Sequence, residues 1–583
     1  MPGGGVVPIA GTADVSRVEA PVTVRAYLII AFAAFGGIFF GYDTGWMGGV
    51  LNMDYFIKQY TGLEYPDVKF PGLDPKDPQI TNYRNTEFSV SSSNQSLVTS
   101  ILSAGTFFGA IMAGDLADFI GRRFTIILGC AIFCVGGILE TASTGLGVMV
   151  AGRLIAGFGV GFISAIVILY MSEIAPKKVR GAVVAGYQFC ITIGILIANC
   201  VVYATQNRRD TGSYRIPIAV QFLWAIILAI GLALLPESPR YWVKKGKLDE
   251  AAHALGRVRG QPLDSEYIQD ELAEIIANHE YEMSILPQTS YLGSWMACFS
   301  GKITSPSSNA RRTFVGIVIQ MMQQLTGINF IFYFGPVFFQ QLGTIDNPFL
   351  ISMVTTLVNV LSTPASFIMV EKLGRRSILI YGAAGMVIMQ FIVGAIGATA
   401  GKAHGDTPAN PNAVRAMIAF ICLNISVFAT TWGPSAWIVI GEIFPLTIRS
   451  RGVGLSTVSS TLASQGKHSI LTVSQASNWF WNCIIGVITP YLVAERPDSA
   501  KLGSNVFFMW GGLCCISFLF AYFFVPETKG LTLEQVDKML EETTPRTSRK
   551  WKPHSTFAAD MHLNEKNIEI PLENVAAKHE ATV

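Results

Sequence analysis

Residues 323–336 read Gln-Gln-Leu-Thr-Gly-Ile-Asn-Phe-Ile-Phe-Tyr-Phe-Gly-Pro. They lie inside an apolar run long enough to cross a bilayer, yet the run carries three amides, Gln323, Gln324 and Asn329. An unsatisfied polar group in hydrocarbon costs several kcal/mol, so these side chains should face a water-filled cavity or a polar ligand. Gly327 among the amides and Pro336 beyond them suit a helix that breaks where it lines such a cavity. Gln and Asn each donate and accept, which is what a neutral polyol requires. The same amides could instead tie neighbouring helices together, and the stretch alone leaves both readings open.

The rest of the chain has the composition this predicts. Of 583 residues, 51% are hydrophobic and 14% charged, against roughly 25% charged in soluble domains. The formal net charge is only +2, and the basic residues are dispersed in short loop clusters, so no nucleic-acid role is implied. Nine cysteines, mostly in apolar runs, show neither zinc spacing nor a secreted disulfide framework. No nucleophile with a base, metal cluster or phosphate loop is apparent, so neither an enzyme, nor a metal, nor a cofactor is expected.

At about 20 residues per span, twelve spans are predicted: near 27–50, 96–114, 124–142, 148–170, 184–204, 216–236, 313–341, 349–370, 377–400, 413–440, 453–494 and 504–525. This is an all-α polytopic membrane protein. Its expected parts are an N-terminal segment (1–26), a six-helix half (27–236), a cytoplasmic helical linker (237–312), a second six-helix half (313–526) and a largely disordered tail (527–583). The linker and the amphipathic piece Leu533–Leu540 are expected to be solvated surface. Both termini are expected in the cytoplasm, because Arg122-Arg123, Lys177-Lys178 with Arg180, Arg375-Arg376, and Arg449 with Arg451 lie in short loops on one side. The outer pair Arg208-Arg209 is an exception. Asn94-Gln95-Ser96 matches a glycosylation sequon but abuts the second span.

The halves repeat. Gly121-Arg122-Arg123 after Asp118 recurs as Gly374-Arg375-Arg376 after Glu371. Glu173-Ile174-Ala175-Pro176 with Arg180 recurs as Glu442-Ile443-Phe444-Pro445 with Arg449 and Arg451, and Pro236-Glu237-Ser238 recurs as Pro526-Glu527-Thr528. Three signals in one order predict two parallel six-helix repeats. Carboxylates and guanidiniums at the ends of corresponding helices predict a cytoplasmic gate, a charge network forming between the halves in one conformation and parting in the other.

The motif at 323–336, with these repeated signals and Pro236-Glu237-Ser238-Pro239-Arg240, resembles the sugar porter branch of the major facilitator superfamily, closest to fungal hexose transporters. The resemblance covers roughly residues 27–530. It implies alternating-access import of a small neutral sugar, glucose foremost, at the plasma membrane. Matched motif positions imply that Gln188, Gln323, Gln324, Asn329, Asn359, Trp437 and Asn478 contact sugar and that Tyr333 shapes the outer gate. Their chemistry agrees: amides satisfy hydroxyl edges and an indole covers an apolar sugar face. Two departures from the family pattern are Phe119, where a basic residue is usual, and Phe334, where many relatives have a second Tyr.

Asp43 lies within the first span and Arg153 within the fourth. A carboxylate near mid-membrane costs roughly 2.5–3.5 kcal/mol, so it is normally paired or takes part in a proton relay. In resembling symporters this pair couples sugar to a proton, whereas a structural ion pair would suit a facilitative uniporter. A non-transporting sugar sensor on the same fold is the third reading.

The eleventh span is over-long. Relatives run directly from an Arg-Gly-Val-Gly-Leu-Ser-Thr segment into Ala-Ser-Asn-Trp, whereas here residues 458–475 intervene, with Lys467 and His468 where a helix should enter lipid. Val458-Ser459, Leu471-Thr472 and Gln475 can be encoded as an intron donor, branch point and acceptor. This frame-preserving segment is therefore expected to be an untranslated intron rather than protein. The repeat spacing agrees: Glu173 and Glu442 are 269 positions apart, but Glu237 and Glu527 are 290 apart.

Overall fold

The computed structural model describes residues 6–9, 23–74, 77–176, 180–285, 299–305, 308–341, 347–400, 410–444, 471–493, 499–531, 533–552 and 568–571. Lipid offers no hydrogen bonds to a backbone, so the apolar windows fold as helices that satisfy their own. Ten helices among the described residues are long and apolar enough to span, and the pair Pro348–Ser362 and Ala365–Leu373, bent by 45°, makes an eleventh. Leu471–Val493, eleventh in chain order, completes the twelve. Several helices overrun their apolar windows: the second span runs Ser92–Ile120, because hydropathy marks the hydrocarbon thickness and not the helix end. Of the over-long eleventh segment, residues 453–470 and 494 lie outside the described residues, and the helix begins at Leu471.

The halves meet in a repeated pattern. The first span packs on the seventh, the second on the eleventh, the fifth on the eighth, and the fourth and fifth on the tenth. Four spans are interrupted where they approach this interface: the first at Phe35, the seventh at Leu325–Gly327, the eighth at Thr363–Pro364 and the tenth at Thr431. The seventh therefore consists of Asn309–Gln324 and Ile328–Gln341, with Gly327 at φ +80°. That left-handed conformation favours glycine. The freed Thr326 carbonyl accepts from Gln390 Nε2 at 2.6 Å, so the break leaves no orphaned acceptor there.

Two expectations are corrected. The linker is not merely solvated surface: Ala251, Leu255, Ile268 and Leu272 form a satellite core, and Arg259 ties it to the fourth span by donating to the Ile174 carbonyl. The helix Leu533–Glu542 buries Val536, Met539 and Leu540 and packs against the tenth span, because its amphipathic face covers apolar surface that would otherwise meet water. Within the rest of the tail, Ile568–Pro571 pairs antiparallel with Val6–Ile9. The exceptional outer arginines are neutralised locally. Arg209 pairs with Asp67 at 2.7 Å and Arg208 with Asp210 at 2.8 Å, and the hydrogen bond from Arg209 holds the Asp67 carboxyl below its usual range.

Candidate functional site

The broken seventh span aims its amides at the middle of the interface between the halves. Gln324 is the hub: its Nε2 donates to Asn478 Oδ1 at 2.9 Å, and its Oε1 accepts from Asn482 Nδ2 at 3.0 Å and from Asn329 Nδ2. Asn478 Nδ2 donates to Gln323 Oε1 at 2.8 Å and to Gln320 Oε1 at 2.6 Å. Gln323 Nε2 donates to the Gly433 carbonyl at 2.8 Å, at the break in the tenth span. Tyr333 closes one side by donating to Asn482 Oδ1 at 3.1 Å.

Side-chain bonds also cross between the halves at this site. Trp437 Nε1 donates to Gln188 Oε1 at 3.0 Å, and Ser103 Oγ donates to Asn482 Oδ1 at 2.6 Å. Phe40 of the first half meets Trp479 of the second edge-on, with ring centroids 5.0 Å apart. The site thus combines amide donors and acceptors with indole and phenyl faces drawn from both six-helix halves. Its amide side chains are mostly buried and hydrogen-bond one another. A hydroxylated ligand could replace those bonds one for one, with little desolvation cost.

Most of the sequence-predicted residues come together here: Gln188, Gln323, Gln324, Asn329, Tyr333, Trp437 and Asn478. Asn359 does not join them through any described contact; it is buried, and its Oδ1 has no partner among the described residues. Asn482 and Gln320 were missed. The signal was present, since Asn482 follows Asn478 by four residues and Gln320 precedes Gln323 by three, which places each on its neighbour's helix face.

Asp43 and Arg153 form an ion pair at 3.1 Å in which neither side chain is more than 2% exposed. The guanidinium lies over the Trp46 ring, 5.0 Å from its centroid, which partly replaces lost hydration.

The charge clusters at the basic end are built twice to one plan. Arg122 holds Glu173 through two nitrogens, Nη2 at 3.0 Å and Nε at 3.2 Å, and Asp118 through Nη1 at 2.9 Å. Arg375 holds Glu442 at 3.0 and 3.2 Å and Glu371 at 3.4 Å. Glu237 accepts from the backbone N–H groups of Arg122 and Arg123, and Glu527 from those of Arg375 and Arg376, so each carboxylate caps a helix N-terminus. Burial nonetheless pushes both capping carboxyls above the usual range. Ser238 and Thr528 donate to Glu173 and Glu442 respectively. The glycines before the arginines, Gly121 at φ +101° and Gly374 at φ +88°, leave room for those capping carboxylates. The partners of Arg122 and Arg375 lie within one half each, rather than across the halves as the gate reading expected. Arg449, Arg451 and the Arg180 side chain lie outside the described residues.

Twelve spans in two repeats around a polar, interface-centred site define a membrane transporter of the major facilitator kind, not an enzyme. The family model described as "Sugar (and other) transporter" matches residues 29–465 and 463–540, and the chain belongs to that family. It is 42% identical over 95% of both chains to the major facilitator-type transporter ecdD of Aspergillus rugulosus. It is 38% identical to the probable glucose transporter rco-3 of Neurospora crassa, covering 94% of this chain and 84% of that one. Similarity extends to the high glucose sensor RGT2 of Saccharomyces cerevisiae, at 37% identity over 91% of this chain and 62% of the longer sensor. Among solved structures, the proton:xylose symporter XylE bound to a bromo-deoxyglucose shares the fold, with a TM-score of 0.67 and 23% identity over 88% of this chain and 99% of that one.

Proposed function

We propose that this chain imports a neutral hexose, glucose foremost, across the fungal plasma membrane by alternating access, with both termini cytoplasmic and a proton carried with the sugar. The observation that supports it most is the amide network centred on Gln324 at the break in the seventh span, which Ser103 of the first half joins by donating to Asn482. Gln188, Gln323, Gln324, Asn329, Trp437 and Asn478 take the role of sugar contacts, Tyr333 that of an outer gate, and Asn359 joins them only when the halves rearrange. Asp43 carries the proton: the sugar-dependent fate of its pairing with Arg153 couples the two cargoes. The intra-half clusters at the basic end are the gate in its parted arrangement.

The test is labelled-glucose uptake in cells lacking their own hexose transporters, with and without a protonophore, beside Asp43→Asn. Symport predicts that uptake collapses under the protonophore and in the variant. Uptake indifferent to both makes the chain a uniporter with a structural Asp43–Arg153 pair, and no uptake of any sugar favours the sensor reading, which the likeness to a glucose sensor keeps in view.

Residues 458–475 are, on this proposal, absent from the mature protein. In its support, the family match is split in two within that segment, the pieces overlapping at 463–465. Sequencing the messenger across the junction decides the matter; a transport-competent protein made from a message that retains the segment refutes it.

A further inference from the structure

Glu140, near the outer end of the third span, played no part in the sequence analysis. It is completely buried. Its Oε2 accepts from Gln221 Nε2 of the sixth span at 3.1 Å, while its Oε1 has no hydrogen-bond partner among the described residues. The glutamate lies against the backbone that carries Arg153: a Cβ added at Gly152 would come within 2.8 Å of Glu140 Cγ. Arg153 spends Nη1 on Asp43, and its Nε is without a partner among the described residues, as is Asp43 Oδ2. The charged groups that act on Glu140 are Arg153 from the fourth span and Asp43 from the first; Gln221, from the sixth, is neutral.

The charges therefore do not balance. Two buried carboxyls lie near one buried guanidinium, which is ion-paired with Asp43 alone among the described residues, and a buried carboxylate without a counter-charge costs several kcal/mol. Holding one proton removes that cost. Arg153 already pairs with Asp43, so the proton belongs on the other carboxyl. We propose that Glu140 is a second carboxyl of the proton-coupling site, holding a proton while Arg153 pairs with Asp43 and competing for Arg153 once it gives that proton up. In this role it acts on Asp43 through Arg153, a positioning residue that sets the pH range over which uptake is proton-driven. The inference rests on the symport reading for its consequence in transport, but not for the location of the proton.

Two measurements separate these. The first is the protonated-carboxyl stretch in infrared spectra of the purified, monodisperse full chain at neutral pH. It should be present in the wild type, absent in Glu140→Gln, and moved to higher wavenumber in Gln221→Leu, which removes the hydrogen bond that Glu140 Oε2 accepts. A band kept in Glu140→Gln, or unmoved in Gln221→Leu, overturns the assignment, whatever the transport mechanism. The second is the pH profile of glucose uptake. Glu140→Gln leaves Arg153 wholly to Asp43, which then releases its proton more readily. The alkaline limb of uptake should move to lower pH by about one unit or more, as expected when a competing carboxylate leaves an ion pair, while protonophore sensitivity persists. An unshifted profile in a protein that still shows protonophore-sensitive uptake overturns the coupling role. Uptake insensitive to the protonophore in the wild type refutes that role together with symport, and leaves the infrared result to stand or fall alone.

Discussion

Replacing Gly327 by alanine tests the broken seventh span on which the site is built. Two costs follow from the geometry. At φ +80° an L-residue sits in the left-handed region, worth roughly 1–2 kcal/mol. The new methyl would also lie 2.6 Å from Cγ of Trp510, a side chain only 1% exposed and so without room to retreat. Overpacking of that kind typically costs about 1–3 kcal/mol. Together the two effects should destabilise the fold by roughly 2–5 kcal/mol. Because Gln324 and Asn329 flank the break, KM for sugar should rise as well. The assay is thermal unfolding of purified protein in detergent, paired with uptake. A double-mutant cycle with Trp510→Leu isolates the overlap: Gly327→Ala should be less harmful in the smaller-residue background by about 1–3 kcal/mol, the overpacking share. A single variant as stable as wild type, or strict additivity in the cycle, would refute the reasoning that Gly327 is fixed by both its torsion and its neighbour.

Other outcomes follow from the same contacts. Gln324→Ala strands polar atoms of Asn329, Asn478 and Asn482; at about 1–3 kcal/mol per unsatisfied group, KM should rise at least about tenfold, and a KM within twofold of wild type counts against the hub. Arg375→Lys loses the two-pronged hold on Glu442, and Arg122→Lys that on Glu173; the two should lower the melting temperature by similar amounts, since the clusters share one geometry, and a large effect in one half alone contradicts the repeat. Glu237 and Glu527 have native carboxyls raised by burial, so their contribution to stability is present below the unfolded carboxyl range and is lost as pH rises through the raised native value. A Gln variant at either position does not titrate, so it should gain on the wild type in melting temperature as pH rises above the ordinary carboxyl range and through the raised native value; a variant that loses ground as pH rises overturns the sign.

What the sequence made legible were polar residues in the wrong solvent. Gln323, Gln324, Asn329 and Asn478 stand out because lipid-facing helices avoid amides, and the repeated Glu–Arg signals survive as ordered triplets that need no structure to be recognised. Gln320 and Asn482 were within reach, one helical turn from residues already chosen. Glu140 was not, because a carboxyl close to a span end looks like an ordinary loop charge until Gln221 and Arg153 are seen around it. Nor does spacing say which carboxylate an arginine will choose: Asp118 and Glu173 serve Arg122 equally well in sequence, and only packing closes the cluster within its own half. The helix Leu533–Glu542 reads as amphipathic from its residues, but the surface it covers on the tenth span belongs to another part of the chain.

The most direct test of the central claim is counter-gradient transport in proteoliposomes holding the purified chain alone. With an inward proton gradient imposed and equal glucose on both sides, the account predicts net accumulation of labelled glucose, abolished by a protonophore and by Asp43→Asn, and slowed by Gln324→Ala. Glucose that equilibrates without accumulating contradicts the proton coupling, and vesicles that remain impermeable to every hexose contradict the transport reading itself.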